Sequence, residues 1–277
     1  MTGTCHPRFP FGPEIRLRPS RPTPYRGPVL KRIEAYYDAV PRSSARAEEF
    51  GPLTLFVREG EGWPFYARPA LGHEGEVPVA AVERVRARQR ELGVPEAFEW
   101  VAQTAPGLRA AVEASGLTVH EHPLMVLAGE GLAVPEPGGV TVRMLDADDP
   151  GLPSAVAAPY AAFGFPPEPG TAERTAERIT AGLTRLAAAF AVGAEGSAAL
   201  AAGQHQPVGD VSEVVGVGTV PAARRRGLGL AVTAALVADA RARGAELVFL
   251  SASDADVARL YGRLGFRTVA TALIAEA

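Results

Sequence analysis

The chain has 277 residues, 47% of them hydrophobic, and a net charge of −3. That is enough apolar material for one large or two ordinary domains, and it excludes a disordered chain and a dedicated, strongly basic nucleic-acid binder. Cys5 is its one cysteine, no apolar run reaches the ~18 residues that cross a bilayer, and the start lacks a signal-peptide layout. The expectation is a cytoplasmic protein without disulfides or a thiolate metal cluster, and with neither membrane nor nucleic acid as partner.

Residues 1–28 carry Pro7, Pro10, Pro13, Pro19, Pro22, Pro24 and Pro28 among arginines, a density that forbids helix and reads as an extended tail. Globular patterning follows, with β-like runs at Leu53–Val57 and Phe65–Ala67 and a helix-like segment Val79–Leu92 closed by Gly93. The Pro/Gly stretch Ala133–Gly139 is a linker signal, which divides the chain into a domain at 29–132, a linker at 133–138 and a domain at 139–277. The second domain reads as a strand (Val140–Leu145), helices around Ala155–Phe163 and Thr171–Leu186, and strands near Ala188–Val192, Ala198–Gly203 and Val211–Val220. A helix (Gly227–Arg243), a strand (Glu246–Ser251), a short helix (Asp254–Leu264) and a final strand (Arg267–Ile274) complete it. The class is α/β with a mixed sheet.

A faint internal repeat lays the run from Ala97 ungapped on the run from Glu246. Trp100 falls on Phe249, Val101 on Leu250, Gly116 on Gly265 and Leu117 on Phe266. Strand, helix, glycine stop and strand recur in register, as two copies of one fold would.

The most informative stretch is Val214–Val232. A β-type run meets Pro221, then Arg224-Arg225-Arg226-Gly227-Leu228-Gly229, then an Ala-rich helix. The pattern R/Q-x-x-G-x-G/A is weak alone. Between a strand and a helix it gathers backbone N–H groups and a helix N-terminus at one point, where a pyrophosphate would sit. Other glycine-rich readings fail: no G-x-x-x-x-G-K-[ST] occurs, and Val232 occupies the third glycine of a G-x-G-x-x-G.

This segment together with Ser251–Phe266, SASDADVARLYGRLGF, resembles the GNAT acyltransferase superfamily. The family form N-x-x-A-x-x-L-Y-x-x-x-G-F is matched by Leu260, Tyr261, Gly265 and Phe266, with Asp254 where asparagine is usual. The resemblance implies a GNAT-type, mostly antiparallel twisted sheet flanked by helices, and acetyl transfer from acetyl-CoA, as co-substrate, to the amine of a small molecule or peptide. Val217, Gly218 and Thr219 would offer their backbone to the pantetheine arm, and Arg225, Arg226, Gly227, Leu228, Gly229 and Leu230 would cradle the diphosphate. Arg224 and Arg226 would reach phosphates as well, or face water. Asp254 would meet the pantetheine amide or cap its own helix. Tyr261 stands where the family places the general acid, or packs as a core aromatic. Glu213, on the strand upstream of Arg224, is either the general base or a solvated strand-end carboxylate. A backbone N–H around Val217 is the expected oxyanion donor.

The five histidines, His6, His73, His120, His122 and His205, lack the spacing of a metal site, and none is expected. The first half has no counterpart of the Arg/Gly turn, and Val112 stands where the repeat predicts Tyr261. It resembles the degenerate copy of a tandem-GNAT protein. The chain leaves room for one strand after Gly265 where relatives often have two, and Leu117–Leu127 is the expected source of the other. Two rival functions stand beside acetyl transfer: a catalytically silent acyl-CoA-binding regulator, and an acyltransferase for a longer acyl-CoA.

Overall fold

The computed structural model describes residues 26–62, 64–131, 134–135, 137–193 and 198–277. The expected tail lies outside them up to residue 25, and the expected linker lies outside them in part. The chain gathers into two compact units that do not divide it at a single point. One takes residues 26–125, 251–258 and 268–277; the other takes 126–250 and 259–267.

The first unit opens with α1 (Arg26–Arg42), which begins inside the stretch expected to be extended. Pro28 lies in its first turn, where N–H groups have no intrahelical partner and a missing one costs nothing. Leu30, Ile33 and Tyr36 form its buried face. Glu34 pairs with the buried Arg68 and accepts from Thr104 Oγ1 at 2.7 Å. Next come β1 (Ala45–Glu49), β2 (Leu53–Arg58), β3 (Ala67–Pro69), α2 (Val79–Leu92), β4 (Phe98–Val101), α3 (Leu108–Ala114) and β5 (Thr118–Leu127). The last strand of the chain, β11 (Phe266–Glu276), completes a sheet in the order β1-β2-β3-β4-β11-β5. β11 runs antiparallel to β4, with Ala272 opposite Val101. Val82, Val85, Leu108 and Val112 of α2 and α3 bury against Leu53, Leu55, Phe98, Trp100 and Leu273. Edge strand β1 reads ARAEE, too charged to register as a strand and suited to an edge that must not recruit another chain.

The second unit holds β6 (Val140–Leu145), α4 (Leu152–Phe163), α5 (Thr171–Thr180), β7 (Arg185–Ala191), β8 (Ala201–Val208), β9 (Val211–Thr219), α6 (Leu228–Ala242) and most of β10 (Leu247–Ser251). α7 (Ala255–Gly262) contributes its second half. The sheet order is β10-β9-β8-β7-β6, antiparallel except between β9 and β10. The helix expected through Leu186 stops at Thr180, because Gly182 turns left-handed at φ 71° and Leu186 belongs to β7. α4 and α5 cover one face of the sheet, packing Leu152, Ala155, Val156 and Ile179 on Leu145, Leu186, Ala188 and Ala202. α6 covers the other: a Cβ on Gly203 would meet Leu236 at 3.3 Å. The repeat holds in register, with β4, α3 and β5 matching β10, α7 and β11; Gly116 and Gly265, at φ 91° and 95°, end the two short helices.

A buried polar network ties α6 to this sheet. His205 Nδ1 lies 2.8 Å from Ser212 Oγ and Nε2 lies 2.9 Å from Asp239 Oδ2, which also accepts from Arg243 Nε at 2.7 Å. Burial holds His205 below its ordinary pKa despite Asp239. Burial pushes the Asp239 carboxyl up, but donors from His205 and Arg243 outweigh it and the net direction is down. The unfolded chain therefore takes up a proton near pH ~6.5 that folded His205 refuses, so its contribution is intact above that pH and is lost as pH falls below it. The expected result is a lower urea midpoint at about pH 5.5 than at about pH 7.5, with a smaller drop in His205→Gln. Among the described residues no helix is long and apolar enough to cross a membrane, and no three His, Cys, Asp or Glu side chains group to hold a metal.

Candidate active site

β9 is built to part from its neighbour. It pairs in parallel with β10 from Val211 to Glu213, where Glu213 faces Phe249, and this pairing does not extend to the rest of the strand. On its other side the register with β8 jumps between Gln204↔Val215 and Ala202↔Gly218, so Gly216 and Val217 together oppose Gly203. This is a β-bulge, with Gly216 left-handed at φ 62°. Gly203 is the glycine the bulge requires, because a Cβ there would come within 2.8 Å of Val217 Cγ2.

The bulge also switches faces. Ser212, through His205, points toward α6, so Glu213 points to the face of α4. Beyond the bulge Gly218 faces α4, and Val217 and Thr219 face Gly229 on α6. A Cβ on Gly218 would stand 2.5 Å from Pro159 Cα and 3.0 Å from Ala162 Cβ. Gly218 is thus a packing requirement for α4. Gly218→Ala should cost about 1–3 kcal/mol of stability, read as a lower urea midpoint; an unchanged midpoint would show that α4 moves freely.

Past β9, Pro221–Ala223 form one 3-10 turn, Arg225 adopts φ 62° and Gly227 φ 79°, and α6 begins at Leu228. Arg225 is the one non-glycine residue with positive φ among the described residues, a strain of about 1–3 kcal/mol of the sort that gathers at ligand clamps. No side chain caps α6. Among the described residues nothing accepts from the amides of Arg225 through Leu230. The turn is exposed at residues 224–227, while Leu228 is buried and anchors the helix start. A Cβ on Gly229 would lie 3.5 Å from Thr219 Oγ1 and 3.8 Å from Val217 Cγ1. Exposed amides, a helix's positive end and adjacent arginines make a cradle for an anion of diphosphate size.

The three arginines part company. Arg225 and Arg226 extend into solvent with no acceptor among the described residues. Arg224 instead donates through Nη2 to the Ala162 carbonyl at 2.7 Å and through Nε to the Thr219 carbonyl at 3.4 Å.

Tyr261 is buried, its ring tilted against Phe266 with centroids 6.1 Å apart. Burial pushes its phenol up to about 12, opposed by a hydrogen bond with Thr233. Thr233 Oγ1 donates to the Gly229 carbonyl at 2.8 Å, so the phenol is linked through one hydroxyl to the first turn of α6. Glu213 is half-buried at the last paired position before the strands part. Asp254 caps its own helix, Oδ1 accepting from the amides of Asp256 and Val257, both at 2.8 Å. The bulge at Gly216 and the α4 contact of Arg224 escaped the sequence reading. A glycine inside a strand pattern was the available signal for the bulge.

A family model described as FR47-like protein matches residues 192–274. No curated protein matches the chain. Among solved structures the chain is similar to a GCN5-related N-acetyltransferase from Kribbella flavida, at 25% identity over 90% of this chain and 95% of that one, with a TM-score of 0.67. A GCN5-related N-acetyltransferase from Sphaerobacter thermophilus shares 19% identity over 83% and 82% of the two chains, TM-score 0.58. A tandem GNAT protein from the clavulanic acid biosynthesis pathway shares 16% identity over 81% and 78%, TM-score 0.53. The chain has a GNAT-type fold, and residues 192–274 within it match the FR47-like family model.

Proposed function

We propose that the protein is an acetyl-CoA-dependent N-acetyltransferase that acts on a primary amine of a small molecule or peptide, by direct attack in a ternary complex. The observation that carries this reading is the run of amides from Arg225 to Leu230 that nothing among the described residues accepts from, opening at the exposed turn 225–227 past a strand that has left β10. The residues fit the co-substrate. The turn would take the diphosphate, with Arg225 and Arg226 adding charge, and the free edge of Val217–Thr219 would take the pantetheine amides as an added strand. A backbone N–H at the bulge would face the thioester oxygen as negative charge develops there.

Attack needs a neutral amine. Glu213, on the α4 face, would accept the ammonium proton directly or through water. The nitrogen then bonds to the acetyl carbon and gives up its second proton to solvent, the C–S bond breaks, and the sulfur leaves with the electron pair and is protonated from solvent. A phenol at about 12 stays protonated through the working range. Full transfer from it to a thiolate of ordinary pKa ~8.5 runs uphill, so Tyr261 would act chiefly by turning its O–H from Thr233 to donate a hydrogen bond to the departing sulfur. The first half would be a degenerate copy: α2 opens behind Pro78 without an Arg/Gly turn, and Val112 is buried at the place matching Tyr261. The reaction would take place in the cytoplasm.

Free thiol released from acetyl-CoA, measured with a diamine, a lysine-containing peptide and a peptide with a free α-amine, tests the reading. Release that depends on one of these amines supports it. Tight acetyl-CoA binding with no release against any amine would favour the silent regulator, and displacement by a longer thioester would favour a longer acyl donor. Glu213→Gln should lower turnover about ten-fold or more and flatten the acid limb of the pH–rate profile. A variant with the wild-type limb would remove Glu213 as the base.

A further inference from the structure

We propose that Arg224 is a positioning residue that ties the diphosphate turn to the end of α4, and so sets the acceptor side of the site without touching phosphate. This rests on the acetyltransferase reading above. Arg224 opens the R-x-x-G-x-G run, where its charge reads as a phosphate ligand, yet its guanidinium points elsewhere. Nη2 donates to the carbonyl of Ala162 at 2.7 Å, in the last turn of α4, and Nε reaches the carbonyl of Thr219 at 3.4 Å, the final residue of β9. The C-terminal end of a helix carries orphan carbonyls and partial negative charge, which favour a cation there.

Three features make this contact a strut rather than a surface accident. First, α4 is held close to β9 at the same place, since Pro159 fills the space that any side chain at Gly218 would need. Second, the residue four positions past Ala162 is Pro166, which supplies no N–H, so that carbonyl in the last turn of α4 relies on a donor from outside the helix. The chain leaves that turn through Gly164 at φ 91°, with the amides of Gly164 and Phe165 both bonded to the Tyr160 carbonyl. Third, Arg224 directly precedes the left-handed Arg225, so the contact runs from the start of the amide cradle to the end of α4. α4 covers the face toward which Glu213 points, the face from which an amine meets its base. Arg224 is therefore the one side chain of the turn that couples the cofactor end to the acceptor end. Arg225 and Arg226 remain for the phosphates.

The test compares Arg224→Ala, Arg224→Lys and Arg225→Ala in the full chain. Three quantities are read: acetyl-CoA Kd by calorimetry, KM for the amine turned over fastest in the panel above, and amide hydrogen exchange across residues 158–166 without ligand. For Arg224→Ala the expected result is faster exchange in that segment, an acceptor KM raised about ten-fold and an acetyl-CoA Kd within about two-fold of wild type. Arg224→Lys, which still carries a donor toward Ala162, should recover most of both effects. Arg225→Ala should do the reverse, weakening acetyl-CoA and leaving exchange unchanged. Arg224→Ala with unaltered exchange at α4, or with acetyl-CoA weakened and acceptor KM unmoved, overturns the strut. If wild-type protein binds no acetyl-CoA the acetyltransferase reading fails by itself, and the exchange arm still decides whether Arg224 holds α4.

Discussion

Tyr261→Phe is expected to lower turnover about ten-fold or more while leaving acetyl-CoA affinity unchanged. The substitution removes one oxygen from a ring that stays packed against Phe266, so the fold loses little. On the proposed mechanism, what disappears is the donor that would meet negative charge on sulfur as the C–S bond breaks. That charge is absent in the bound thioester, so the effect belongs to kcat rather than to binding. Because burial holds the phenol at about 12, the wild-type pH–rate profile should show no descending limb from Tyr261 in the neutral range. Steady-state kinetics with calorimetric acetyl-CoA binding separate the outcomes: equal loss of affinity and turnover would assign Tyr261 to packing.

Gly229→Asp should have the second large effect, and it moves stability and binding in opposite directions. A Cβ at Gly229 has ordinary contact distances to Thr219 and Val217, so the turn accepts a side chain. A carboxylate in the first turn of α6 meets the helix's positive end and free amides, which should stabilise the unliganded protein by about 0.3–1 kcal/mol. On the proposed reading the same carboxylate would stand beside the diphosphate and repel it, for an expected loss in acetyl-CoA affinity of about a hundred-fold. A raised or unchanged melting temperature together with lost binding is the expected pair. A variant that melts early and binds weakly would say only that the turn was broken.

The parts of the chain legible in its sequence are those where local chemistry and tertiary context agree. The strand, Pro221, Arg/Gly turn and Ala-rich helix state their own geometry, and the motif ending in Tyr261, Gly265 and Phe266 fixes the helix that follows. The repeat was legible because Gly116 and Gly265 must both turn left-handed. Elsewhere distant residues decide. Proline density pointed away from helix at Pro28, but the first turn of α1 has no use for that N–H. The Ala-rich run after Thr184 resembles helix, yet Gly182 stops α5 and the sheet takes Leu186 and Ala188. The network of His205, Ser212 and Asp239 joins two strands and a helix, and no spacing rule brings those residues together. Arg224 is the clearest case: its side chain goes to a carbonyl that lies far back in the chain, on α4, so nothing within the Arg-Arg-Arg run distinguishes it from its neighbours.

Amide resonances of residues 225–230, followed while the full chain is titrated with coenzyme A, test the central claim most directly. These amides should shift together and saturate with the ligand, because main-chain N–H groups at the start of α6 would be gripping its diphosphate. Resonances that stay in place while coenzyme A binds elsewhere, or no binding up to about millimolar coenzyme A, would contradict it.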